Sequence, residues 1–168
     1  MPKRLAIVVA ALAAAAVAGC GTSDPKPPVP VASTAPQAPG EALPIGECGA
    51  VLDADIAAAT GLGDLRQITR NPLRCRWEAG DGSAVTFEWF RGSPIDTRTP
   101  IGAGDRVSAV RLADHPGKMW PADRSCEVAV SSGAGDFIDW KIDTAQAVGA
   151  QACSAVRQLA TVTLQKAG

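Results

Sequence analysis

Apolar and polar residues alternate through the middle of the chain, which predicts β-strands that bury one face. The alternation is clearest in residues 84–90, where every second side chain is large and apolar: Val85, Phe87 and Trp89. Residues 137–142 repeat it with Ile138, Trp140 and Ile142. Weaker strand character is present in further segments, namely 65–69, 74–79, 106–112, 118–120 and 126–131. Residues 91–104, rich in Gly, Pro and Thr, are predicted as a loop or a short broken helix.

The apolar period changes to that of a helix on either side of this strand region. From Thr144 to Lys166 the apolar side chains fall on one stripe: Ala152, Cys153, Val156, Leu159, Ala160 and Leu164. A short helix is predicted over 54–60, with Asp53 at its N-cap, Gly61 as its stop, and both Leu52 and Ile56 pointing inward. The sequence therefore predicts an α+β fold: an antiparallel sheet with a short N-terminal helix and a longer C-terminal helix packed on one face.

The start of the chain has the pattern of an export signal with a lipid-attachment site. Lys3 and Arg4 precede an apolar run that ends at Val17 and is shorter than the about 20 residues that span a bilayer. Val17-Ala18-Gly19-Cys20 then resembles a lipobox. We predict residues 1–19 as signal peptide and Cys20 as the lipidated residue, which would hold the chain on the extracytoplasmic face of the cell membrane. The alternative is an ordinary secretory signal that is cut nearby.

Residues 20–44 are predicted to be a tether between the anchor and the folded domain. They hold many prolines and almost no bulky apolar side chain, so they bury too little surface to offset their ordering entropy. Residues 45–168 are long enough for one globular domain with one core.

Apart from Cys20, the chain has an even number of cysteines: Cys48, Cys75, Cys126 and Cys153. In an oxidising compartment they predict two disulfides. Three pairings are open, and we favour Cys48–Cys75 with Cys126–Cys153 because each closes a loop of 27 residues. A zinc site or a redox pair would carry Cys-x-x-Cys spacing, which none of the four shows, so we predict neither a metal nor a cofactor.

Several motifs stand in a distinctive order along the predicted domain. They are Cys48 before a helix that ends in Thr60-Gly61-Leu62, then Cys75-Arg76-Trp77, then Cys126-Glu127-Val128-Ala129-Val130, and finally the helix that bears Cys153. With the lipobox, this order resembles an actinobacterial lipoprotein family defined by a domain of unknown function, DUF3558. The resemblance covers about residues 45–166 and implies an envelope-anchored domain with two disulfides. It assigns no catalytic residue.

The net charge and the missing motifs reduce the number of function classes that the sequence supports. A net charge of −1 without a basic cluster argues against nucleic acid as a partner. His115 is the sole histidine, and no Gly-x-Ser-x-Gly elbow accompanies it, so we predict that the chain is not an enzyme. The alternative is a small envelope hydrolase that would use His115 with carboxylates drawn from this set: Glu78, Asp81, Glu88, Asp136 and Asp139.

The four tryptophans supply the candidate binding surface. Trp77 and Trp140 are expected in the core, whereas Trp120 is expected to be exposed. His115, Met119 and Trp120 therefore form our candidate surface for a ligand or partner. The leading interpretation is a non-catalytic envelope lipoprotein that binds a protein or a cell-wall component, with the membrane contacted through its anchor. A carrier of lipid or of a small apolar ligand is a further alternative, and the oligomeric state stays open.

Overall fold

A computed structural model describes residues 42–100, 106–133, 135–147 and 149–168 of the chain. The predicted signal peptide, Cys20 and most of the predicted tether lie outside the described residues. The elements follow in this order: a 3-10 turn η1 (Glu47–Ala50), α1 (Asp53–Thr60), β1 (Arg66–Asn71), β2 (Arg74–Glu78), β3 (Ala84–Phe90), a 3-10 turn η2 (Ile95–Thr97), β4 (Ser108–Leu112), β5 (His115–Pro121), β6 (Ser125–Gly133), β7 (Asp136–Asp143) and α2 (Ala150–Ala167).

The strands form one antiparallel sheet in the order β1-β2-β3-β7-β6-β5-β4. Hairpins join neighbouring strands on each half of the sheet, and the segment between β3 and β4 crosses to the far edge. With a short helix before the sheet and a longer helix after it, this confirms the predicted α+β architecture.

α2 packs on one face of the sheet, which we call the helix side, and α1 packs against α2. Alternate side chains from the central strands meet there: the register pairs Val128 with Trp140 and Phe87 with Trp140. The predicted stripe of α2 packs on them, and all six of its members are buried. Trp77 and Trp140 are buried as expected, with their ring centroids 6.1 Å apart. The opposite surface of the sheet is called the open side below.

Both predicted disulfides are confirmed. Cys48 is bonded to Cys75, with 5.3 Å between their Cα atoms, and this bond ties η1 to β2. Cys126 is bonded to Cys153, with a Cα separation of 5.1 Å, and it ties β6 to the first turns of α2. Each disulfide therefore joins a helical element to a strand beneath it.

The first helix begins one residue earlier than predicted, at Asp53 instead of residue 54. Leu52, and not Asp53, occupies the N-cap position, and its N–H donates to Asp55 Oδ2 at 3.2 Å. The prediction that Leu52 points inward is wrong: it is 66% exposed, because the cap residue precedes the first turn and lies outside the apolar stripe. Ile56 is fully buried as predicted.

An unusual backbone turn precedes this helix in the chain. Cys48, Gly49 and Ala50 all have positive φ angles, of 55°, 68° and 55°. Gly49 lies against the side chains of Thr163 and Trp140, where an added Cβ would stand 2.6 Å from Thr163 Oγ1. Only glycine leaves room for the backbone to approach these two side chains so closely, so the turn packs directly on the core.

Candidate functional site

The helix side of the sheet is only partly covered. α2 lies over β6 and β7, so the helix side of β5 and β4 is left beside it as an open groove of about 700 Å³. Leu112 and Met119 from the strands form its floor together with Cys153, and α2 supplies a single wall that includes Thr161 and Val162. Its volume lies within the range of ligand sites in proteins.

The groove has little charge. Arg157 is the single charged residue among those that line it, it is exposed, and it forms no ion pair with any described residue. The other polar lining groups are hydroxyls and amides, namely Ser154, Gln158, Thr161 and Gln165. Such a lining offers hydrogen bonds to neutral polar groups and one contact to an anion.

The three residues of the predicted surface do not share a face. Met119 and Trp120 are neighbours on β5, so their side chains point to opposite sides of the sheet. Met119 and His115 face the helix side, where Met119 lines the groove. The prediction that Trp120 is exposed is wrong: it is 7% exposed and packs on the open side against Ala129 and Phe137.

The segment between β3 and β4 explains why Trp120 is buried. Residues 91–100, which we call the strap, pass over the open side of the sheet and bring Ile95 onto this second apolar cluster. Lys118 Nζ lies 2.7 Å from Asp96 Oδ1 and adds a polar contact. The strap thus covers apolar surface that the sequence had suggested was free for a ligand.

Arg98 at the end of the strap bridges two acidic side chains of the sheet. Its Nε donates to Glu127 Oε1 at 2.9 Å and to Asp139 Oδ2 at 2.6 Å, and its guanidinium lies over the Phe90 ring. Glu88 Oε2 is 3.9 Å from Arg98 Nη2. The side chains of Glu127 and Asp139 are only 4% and 2% exposed, so this is a buried charge cluster.

The cluster perturbs the ionisation of Asp139. Burial raises the pKa of its carboxyl well above the ordinary value, and the adjacent Glu127 carboxyl raises that pKa further. The Arg98 guanidinium acts in the opposite direction. A perturbed carboxyl is a property of many active sites, but structural ion-pair networks show it as well.

The geometry of this cluster favours a structural role over hydrolysis. Glycosidases keep their two carboxyl groups about 5 to 9.5 Å apart around an open substrate site, whereas Glu127 and Asp139 are both bonded to one guanidinium beneath the strap. His115 faces the helix side, so the sheet separates it from Glu88 and Asp139. Within the described residues, no group of three or more His, Cys, Asp or Glu residues is placed to hold a metal ion.

A smaller cavity of about 370 Å³ lies beside the Cys48–Cys75 disulfide. Its polar groups are paired with one another: Arg70 with Glu47 at 2.9 Å, and Gln67 Nε2 with Cys48 Sγ at 3.2 Å. Because these contacts satisfy its polar lining, the cavity is a weaker binding candidate than the groove.

The fold and its surfaces define a class of protein: a disulfide-bonded α+β domain with a lateral groove on its helix side. A family model described as "Protein of unknown function (DUF3558)" matches residues 15–166. The chain therefore belongs to the DUF3558 family, which confirms the resemblance. None of the helices in the described ranges combines the length and apolar character that crossing a membrane requires.

Curated relatives carry one name, "Putative lipoprotein LprB". The chain is 31% identical to the proteins of Mycobacterium bovis and Mycobacterium tuberculosis, over 94% of this chain and 92% of each relative. It is 28% identical to the Mycobacterium leprae protein, over 85% of this chain and 82% of the relative. No solved structure matches the chain.

Proposed function

We propose that the chain is an exported lipoprotein, acylated at Cys20, whose globular domain is a non-catalytic binding module on the extracytoplasmic face of the membrane. The lipobox-like sequence, the two disulfides and the naming of the relatives as lipoproteins all support the anchor. Residues 20–44 would then hold the domain away from the bilayer surface.

The groove beside α2 is the observation that carries the binding role. It is the larger of the two depressions described above, and its floor places apolar side chains of β4 and β5 beside the polar wall of α2. An apolar floor with a few polar groups is the usual make-up of a binding site. The buried cluster around Arg98, in contrast, has its charges paired internally.

The anchor is tested on the native protein. Intact-mass spectrometry should give a chain that begins at Cys20 and carries acyl chains. In detergent-phase partitioning the protein should be recovered in the detergent phase. The variant C20S should lose both properties. A native chain that is unacylated, or that begins at another residue, rules out the proposed anchor.

The binding role is tested by photo-crosslinking in the native cell envelope. A photoreactive residue at Gln158, on the exposed rim of the groove, should give a discrete adduct. The same residue at Glu78, on the open side of the sheet, is the matched control and should give none. Adducts of equal yield from both positions, or from neither, would reject the groove as the binding surface.

A further inference from the structure

We infer, building on the binding function proposed above, that the groove takes an extended segment of a partner polypeptide whose backbone pairs with the outer edge of β4. The sheet order puts β4 at one end, with no strand beyond it in the described part of the chain. An edge strand presents unpaired main-chain donors and acceptors, and a second backbone in β conformation is the ligand that satisfies them.

The hairpin geometry identifies which main-chain groups point outward. Ala113 and Asp114 form the two-residue turn between β4 and β5, and both have positive φ angles, 45° and 65°. Such a turn closes on a hydrogen-bonded pair, here Leu112 and His115. Because bonding alternates along an antiparallel ladder, the N–H and C=O groups of Ala109 and Arg111 point away from β5.

The two edges of the sheet differ in their readiness to accept a strand. β1, at the other end, has a register shift between Gln67 and Thr69, and bulges of this kind protect edges from addition. β4 pairs with β5 through five successive residues without a shift. Its one cation, Arg111, donates to the carbonyl of Asp114 at 2.8 Å, which holds the guanidinium at the turn end of the strand.

The groove would receive alternate side chains of the added strand. α2 forms one wall, and the opposite margin is β4, where Val110 and Leu112 face the helix side. A strand paired with β4 places every second side chain on that same side, so these side chains would complete the missing wall. Arg157 is the only charge of the lining, which favours a neutral or acidic segment with apolar residues at alternate positions.

The test uses the chain from residue 20 onward with C20S, and linear peptides selected against it from a random eight-residue displayed library. The enriched peptide is then synthesised and titrated against two matched variants. A109P removes an outward N–H and no bond to β5, so it should weaken binding by about tenfold or more. A109V keeps the N–H and should bind as the parent does. Thermal melts of both variants monitor the fold.

Two further measurements separate strand addition from simple groove filling. Amide exchange should show new protection at Ala109 and Arg111 when the peptide binds. The backbone nitrogens of the peptide are methylated one at a time, and methylation at every second position only should abolish binding. This test remains valid even if A109P unfolds. T161W places a large side chain in the groove and should also weaken binding of the peptide.

Each remaining outcome counts against the inference in a distinct way. If no peptide is enriched, or if A109P folds and binds as the parent does, strand addition is wrong. Loss of binding in T161W alone would overturn it while retaining the groove as a binding surface. If the chain forms a dimer that dissociates in A109P, the edge is occupied by a second copy of the chain.

Discussion

The Nε atom of Arg98 lies 2.6 Å from Oδ2 of Asp139, although 41 residues separate them in the chain. This bond, with the neighbouring one to Glu127, fixes the strap on the open side of the sheet. The strap in turn packs the half-buried Ile95 against Trp120 and Phe137. One guanidinium thus holds a loop over a surface that the isolated sheet would expose.

Removing this guanidinium should destabilise the domain strongly. R98M leaves Glu127 and Asp139 buried without a cation, and the loss of one partner of a buried ion pair costs about 3–5 kcal/mol. Urea titration should show this loss, and trypsin should cut faster after Arg91 in the strap. The triple variant R98M/E127Q/D139N should recover part of the stability because its buried groups are neutral.

The matched control for this prediction is R124M. Arg124 is exposed and forms no ion pair with another described residue, so the free energy of unfolding should change by less than about 0.5 kcal/mol. Equal effects of R98M and R124M would show that the strap does not depend on the cluster.

The raised pKa of Asp139 predicts a pH dependence of stability. A carboxyl whose pKa is raised by folding contributes most at low pH, below its unfolded pKa of about 3.9, and loses that contribution as pH rises through its folded pKa. D139N should therefore show a smaller fall in its free energy of unfolding than the parent across this interval.

Urea titrations at a series of pH values measure this difference. D64N is the matched control, because it makes the same amide substitution at an exposed carboxyl outside the buried cluster. Parallel profiles for the parent and D139N would contradict the assignment of the pH dependence to Asp139.

The local periodicity of apolar residues was enough to predict most of the helices and strands. The stripe of α2 and the alternation in β3 and β7 are visible in sequence because burial of one face imposes its own period on the side chains. The same rule, applied to β5, would have separated Met119 from Trp120, since neighbours in a strand point to opposite faces.

The strap and its buried cluster could not be predicted in the same way. The partners of Arg98 lie 29 and 41 residues along the chain, and no local pattern encodes such a contact. One signal was present: Glu127 interrupts the apolar strand between Cys126 and Val128, and a charge in a central strand indicates a buried partner. The groove follows from how far α2 extends over the sheet, which depends on the assembled fold.

Gly49 should tolerate substitution far less than other glycines with positive φ. In G49A the new Cβ would stand 2.6 Å from Thr163 Oγ1. The alanine would also have to adopt a strained backbone conformation, with a φ of 68°. Gly82 has a φ of 87° but nothing within 4 Å of an added Cβ, so G82A carries the backbone cost alone, about 1 kcal/mol. Thermal unfolding should place G49A well below G82A. Equal melting temperatures would mean that residues 48–50 move away from α2 without cost.

The two disulfides should stabilise the domain to similar extents. Each closes a loop of 27 residues, for which loop entropy gives about 3.5 kcal/mol. C48A/C75A and C126A/C153A should therefore each lower the free energy of unfolding by that amount, measured by urea titration against the oxidised parent. Cys75 and Cys126 are both fully buried, so the alanine pairs leave comparable cavities. A difference of more than about 2 kcal/mol between the two double variants would contradict a common entropic origin and point to the native packing around one bond.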